Sequence, residues 1–234
     1  MTLPVGHDLA GIIKWADRAE WQPHLEAVRS EHFMPAARSL GLTLAAMVRA
    51  LGADMTTLRH CAFEDFLARR YGPDASSPIE DYLRRRGWTE RIATRAYMTQ
   101  LQSSIMSIHE VSDIAPGGSF RARDLIRGGE PVEISERSAA QARKSGDRIA
   151  ARILALNGRH VLSNGALAYS LDATDRLLAS LPRHKSRRRG GAKSSSYEAA
   201  LSGWLGSDEK LRATAPLFTV AWISDALPSV LVAK

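Results

Sequence analysis

The 234-residue chain is short of the residues that most often announce a chemistry. It has one cysteine, Cys61, which excludes an internal disulfide framework and any CxxC zinc or redox site. Aromatic residues make up 6% of it, and between residues 119 and 164 Phe120 is the only one. No GxxxxGK[ST], GxSxG, HExxH or GxGxxG is present. P-loop, nucleophile-elbow, zinc-protease and dinucleotide fingerprints are therefore excluded. The paired glycines at 117–118, 128–129 and 190–191 fall in turns or in a linker rather than at a strand-to-helix phosphate loop. The opening MTLPVGHD has neither a basic n-region nor an apolar h-region, so no secretory signal is read and a cytoplasmic location is expected. There is no internal repeat. The last nineteen residues are mainly apolar, but Pro216, Asp225 and Pro228 argue against a membrane span and for a buried helix.

What is present is a core and a local excess of positive charge. Hydrophobic residues are 44% of the chain, enough for one large domain or two small ones. Lys plus Arg number 32 against 25 Asp plus Glu, a net charge of +7. Six of those cations, Arg183, Lys185, Arg187, Arg188, Arg189 and Lys193, lie in the acid-free stretch RHKSRRRGGAK. Without them the chain is nearly neutral, so an electrostatic partner is to be sought at one segment.

The first 115 residues read as helices. Asp8 caps a short one through Ile12 and Trp15, and a second runs through Trp21, Leu25, Val28 and Phe33, with Pro23 and Pro35 limiting its extent. Thr43 to Leu51 forms a third, stopped by Gly52. Residues 56–71 place Leu58, Cys61, Ala62, Phe66 and Leu67 on one face, and Gly72-Pro73 ends them. Ser77-Pro78-Ile79-Glu80 is a capping box, opening a helix that runs to Arg86. A longer helix from Thr89 carries Ile92, Ala96, Leu101, Ile105 and Ile108 and closes near Asp113. At Gly118 the period changes to two. Strands are expected over 120–126, 131–136, 148–156 and 159–163, the last two joined by Asn157-Gly158, a type I′ dipeptide. A helix over 172–181, capped by Ser170 or Asp172, would cover this small sheet. Residues 183–196 read as a basic, flexible linker, with a helix around 197–205 and another from Asp208 onward.

The stretches RDLIRGGEPVEISERSA and GDRIAARILALNGRHVLSNG, within 122–178, resemble a segment of uncharacterised bacterial proteins, some of which carry a C-terminal SEC-C zinc motif. CAFEDFLARRYG and AYMTQLQSSIMSIHEVSDI are similar to hypothetical proteins of alphaproteobacterial type. The resemblance spans residues 1–225 and supports the fold. It implies no activity, and without the SEC-C cysteines it implies no zinc. Its relatives run longer, so the apolar C-terminus reads as truncated.

Several residue sets carry a possible chemistry, each beside a plainer reading. The basic run can follow a phosphate backbone, or be a solvated hinge. Thr43 to Arg59 resembles the helix-turn-helix of bacterial regulators, with Gly52 at the turn, Met47, Leu51 and Leu58 packing the pair, and Thr56, Thr57, Arg59 and His60 toward a groove. Val48 and the acidic Glu64-Asp65 fit that pattern poorly, and two ordinary core helices with a glycine C-cap are the preferred reading. His60, Cys61 and Glu64 lie close on one helix, as a metal or thiolate site would require, or as a buried thiol beside an ion pair. His109-Glu110 reads as a helix end, and His24 with His32 as at best two ligands. In the β-segment, alternation puts Arg121, Arg123 and Arg127 on one sheet face, whether for nucleic acid or for water.

The expectation is an α+β protein. A helical domain (1–115) precedes a small antiparallel β-module with a covering helix (116–182), a basic linker (183–196) and a helical tail (197–234). The leading function is non-enzymatic binding of nucleic-acid phosphates through 183–193, assisted by Arg121 and Arg123, without metal, cofactor or membrane. The alternative is a protein-interaction or self-association module docking through the apolar helix 215–232, by Leu217, Phe218, Trp222 and Ile223.

Overall fold

The computed structural model describes residues 8–181 and 208–232. Six helices come first: α1 (Ala10–Ala16), α2 (Gln22–Ser39), α3 (Leu44–Leu51), α4 (Asp54–Ala68), α5 (Pro78–Arg86) and α6 (Ile92–Ser103), with a 3-10 turn at Gly87–Thr89. Local signals set their ends. Ser77 Oγ accepts from the Glu80 N–H (3.1 Å) while Glu80 Oε2 accepts from the Ser77 N–H (2.9 Å), completing the capping box. Thr43 caps α3 by accepting from the Ala46 N–H. Pro35, expected to limit α2, instead sits inside it. It withdraws one backbone donor, but Leu25, Val28, Phe33, Ala36 and Ala37 are buried around it, and that packing outweighs the lost bond.

The largest departure follows α6. The apolar stripe read as one helix to Asp113 stops at Ser103, and residues 107–115 are a strand. Ile92, placed on that stripe, is 78% exposed. The strands are β1 (Ser107–Ala115), β2 (Ser119–Asp124), β3 (Val132–Ser135), β4 (Arg148–Ala151), β5 (Ile153–Leu156), β6 (Arg159–Leu162) and β7 (Leu167–Tyr169). A short α7 (Arg137–Gln141) lies between β3 and β4. After β7 come α8 (Leu171–Ser180), α9 (Asp208–Arg212) and α10 (Ala215–Val232).

The seven described strands form one curled sheet in the order β5-β6-β3-β2-β1-β4-β7, with only β3 and β6 parallel. β4 and β5 are separated by Arg152 alone, and inward and outward residues alternate through it without a slip. They act as one bent strand that pairs with β1 by its first half and with β6 by its second. The path β1-β2-β3-β6-β5/β4-β1 therefore returns on itself as a small barrel. Its interior holds Val111, Phe120, Ile134, Ile149, Ala151 and Leu162. Phe120 is fully buried there, worth about 2–3 kcal/mol of apolar transfer. The β5–β6 hairpin turns on Asn157 (φ 51°) and Gly158 (φ 75°), as its dipeptide predicts.

One end of the barrel is plugged by α7, whose Ala140 joins the interior cluster. Gly118, in the β1–β2 turn, has φ +91°, and a Cβ there would lie 2.8 Å from Arg137 Cα. Only glycine lets this turn meet the start of α7. Helices clad the outside on two sides. Ile108, Ala150, Leu167 and Tyr169 share a core with α2, α3, α4, α8 and α10. Leu154 and Leu156 share a second core with α1, α2, α5 and α6. The predicted covering helix, α8, belongs to the first of these and packs chiefly against α10.

Candidate nucleic-acid interface and adjoining pocket

The outer face of β2, β3 and the second half of β1 is left to water, while Ile108 near the start of β1 packs on the helices. Alternation turns Arg121 and Arg123 outward there, as expected. Their charges are partly spent within the sheet. Arg123 stands opposite Glu110 and reaches its carboxylate at 3.2 Å, and the same carboxylate holds Arg148 at 2.6 Å. Arg121 faces Glu133 in register and donates to the Pro131 carbonyl (3.1 Å). Three arginines against two glutamates leave this face weakly positive. Phe120 points inward, so the face offers no aromatic for stacking. Arg127 does not join this face: it lies in the loop after β2, 3.8 Å from Asp208. Arg183, Lys185, Arg187, Arg188, Arg189 and Lys193 lie outside the described residues, as does the helix read around 197–205.

The barrel end opposite α7 is open and polar. A cavity of about 530 Å³ forms where β1 and β3 begin and β2 and β5 end, against the last turn of α6. Ala122, Val132, Ile153 and Ala155 supply its apolar wall. His109, Asp124, Arg127, Glu130, His160 and Asp208 supply its polar rim. Asp124 Oδ1 is saturated by the Ser107 hydroxyl (2.7 Å) and by the N–H groups of Ile126 and Arg127 (2.8 Å each). Its Oδ2 lies 3.8 Å from His109 Nε2, beyond hydrogen-bond reach. The His109 ring is buried beside the Ile149 and Ser107 backbone. Burial holds the His109 imidazole below its ordinary pKa, against the opposing pull of Asp124. His109 thus lies mid-strand rather than at the helix end that the sequence suggests.

The residues with the look of enzyme chemistry are structural. α4 is the central helix, with Cys61, Ala62, Phe66 and Leu67 buried, so beyond Arg59 it has no face to lay in a groove. Met47, Leu51 and Leu58 do pack α3 against α4, but as core. Cys61 donates to the Gly165 carbonyl (3.2 Å), and burial pushes its thiol well up. Glu64 is not paired with His60. It accepts from the Ser163 hydroxyl (2.7 Å) and the Gly165 N–H (3.1 Å). Burial raises its pKa past what these bonds and Arg152 recover. Asp65 is met by His32 Nε2 at 3.1 Å, Arg69 Nη2 at 2.6 Å and Arg152 Nη2 at 3.2 Å. Burial pushes its carboxyl up, and the His32 bond with the two guanidinium charges outweighs that and holds it low. His32 Nδ1 in turn lies 2.9 Å from Thr219 Oγ1. This has the order of a hydrolase triad, but His32 and Thr219 are fully buried and Asp65 1% exposed, so no substrate reaches it. His24 stacks on Tyr71 instead of joining His32.

The C-terminal helix is likewise spoken for. Phe218 and Ile223 are fully buried in the first core, with Leu217 and Trp222 half-buried against it. Trp222 Nε1 donates to the Ala168 carbonyl (2.7 Å), and Tyr169 bonds the Phe218 carbonyl. The expected docking residues therefore face the chain's own body. Among the described residues no helix is long and apolar enough to cross a membrane, and no group of three His, Cys, Asp or Glu side chains could hold a metal. Compared with known proteins, the chain matches no family model, no curated protein and no solved structure.

Proposed function

We propose that the protein is a binding module for nucleic-acid phosphates, using the β2 face of the barrel together with the basic run 183–193. The observation that carries this reading is the strand path. A β1-β2-β3 meander, a parallel closure of β3 on β6, a helix between β3 and β4, and a bent strand returning to β1 make the connectivity of an OB-type barrel. Barrels of that type bind oligonucleotides across their second and third strands and adjoining loops. Here that surface carries Arg121 and Arg123, with Arg159 exposed beside the Asn157-Gly158 turn. With no aromatic on the face, contact is to backbone phosphate and carries little base preference.

Fluorescence anisotropy with single-stranded RNA, single-stranded DNA and duplex DNA over a salt series tests this. Six phosphate contacts give a log–log salt slope of about −4 on single strands and about −5 on duplex. Replacing the six basic residues of 183–193 by Ser should abolish binding, and Arg121→Ser with Arg123→Ser should weaken it by about tenfold. Absence of binding at low salt, or unchanged affinity in both variants, overturns the reading.

A further inference from the structure

We infer that the corner joining α5 to α6 is a second contact for single-stranded nucleic acid, with Trp88 stacking on a base and Arg86, Arg91 and Arg95 holding the phosphates beside it. The inference rests on the function proposed above and adds what the β2 face lacks, an aromatic side chain in the open. Trp88 and Ile92 are the two most exposed large hydrophobic side chains among the described residues, at 76% and 78%. The Trp88 indole makes no ring contact and no hydrogen bond among those residues. Around it the stretch RRRGWTERIATR, residues 84–95, holds five arginines, all exposed, against Glu90 alone. The Glu90 carboxylate is engaged by the Tyr82 hydroxyl.

The fold accounts for only part of that charge. Arg84 and Arg85 both donate to Asp81 Oδ1 at 2.8 Å, and cations suit the end of α5. Arg86, Arg91 and Arg95 are in no ion pair among the described residues. Arg91 precedes the first residue of α6 and Arg95 follows one turn later. Two like charges thus share a face at the helix end where the backbone dipole opposes them, and no acidic residue lies in that first turn to offset them. Arg95 lies against the turn that carries Trp88, since a Cβ on Gly87 would be 4.0 Å from Arg95 Cδ. Arg86 also lines a neighbouring shallow cleft of about 610 Å³, with Trp15, Arg18 and Arg85 and no carboxylate. Unpaired guanidiniums beside an open indole suit an unstacked base and its flanking phosphates. A duplex keeps its base faces in the stack, out of reach of the indole. A lipid surface calls for a broad apolar face, and the apolar side chains of α5 and α6 (Ile79, Tyr82, Tyr97, Met98 and Leu101) are buried in the second core.

Fluorescence anisotropy of the full chain tests the assignment with four probes. These are a dT strand of about fifteen nucleotides, an abasic strand of the same length, a duplex, and vesicles of equal parts phosphatidylserine and phosphatidylcholine. The chain should prefer dT to the abasic strand by about tenfold. Trp88→Ala should remove that preference and Trp88→Phe should keep most of it, both with duplex binding and the thermal melt unchanged. Replacing Arg86, Arg91 and Arg95 together by Ser should weaken dT and abasic strands alike and reduce the log–log salt slope on single strands by about 2. Unchanged dT affinity in Trp88→Ala, with binding lost when the six cations of 183–193 become Ser, overturns this inference alone. Vesicle binding that Trp88→Ala abolishes while dT binding persists assigns the corner to lipid and overturns it. No binding of any strand at low salt overturns it together with the reading it rests on.

Discussion

Around Asp65, charges withdrawn from water meet partners from two other elements and from the end of its own helix, whereas at the open barrel end His109 and Asp124 stand 3.8 Å apart without a direct bond. His32 comes from α2, Arg69 from the end of α4, and Arg152 from the bend between β4 and β5. Arg152 also donates to the Ser104 carbonyl (2.9 Å), tying the end of α6 to the same point. The first set is a staple between the helices and the barrel. The second is local: Asp124 Oδ1 gathers the Ser107 hydroxyl and the two N–H groups of the turn after β2. Where a fold buries polar groups and completes their bonding, they serve the fold.

The contrast makes graded predictions. Asp65→Asn leaves Arg152, 2% exposed, without its counter-charge and should cost about 3–5 kcal/mol in denaturant unfolding. Gly118→Ala strains the turn against α7 and should cost about 1–3 kcal/mol in the same assay. Glu64 and Asp65, adjacent in sequence, should respond to pH with opposite signs. Asp65 is held low, so its contribution is present above the unfolded value of about 3.9 and lost as pH falls through the folded one. Glu64 is held high, so its contribution is present below about 4.3 and lost as pH rises through its folded value. Glu64→Gln, which keeps an acceptor for the Gly165 N–H, should thus change stability at neutral pH by less than about 1 kcal/mol. Arg121→Ser with Arg123→Ser should change it by less than about 0.5 kcal/mol, the smallest effect of the series. A thermal melt of each variant across pH checks this ordering.

Local chemistry makes much of this fold readable from the residues. The Ser77 capping box and the Asn157-Gly158 turn depend on neighbours within three residues, and they occur as read. β1 is not readable in the same way. Its residues through Val111 are mostly buried on both faces, one against the barrel interior and one against the helices, so its apolar positions mimic a continuation of the α6 stripe. The barrel closure rests on Arg152 sitting outward at a bend, which no periodicity distinguishes from an ordinary strand position. Of the site, Arg121 and Arg123 are legible as a face because alternation fixes them. Their pairing with Glu110 and Glu133 is not, because it depends on strand register. The pocket needs His109 and Asp124 to meet across β1 and β2, fifteen residues apart in the chain.

Amide chemical-shift mapping of the full chain on addition of a single-stranded oligonucleotide tests the central claim, that the barrel face and basic run bind phosphate while the stapled helical body supports them. Shifts concentrated at β2, β3 and 183–193, with α4 and α10 unmoved, are the predicted result. Shifts gathered on the helices around Asp65, or none at all, would contradict it.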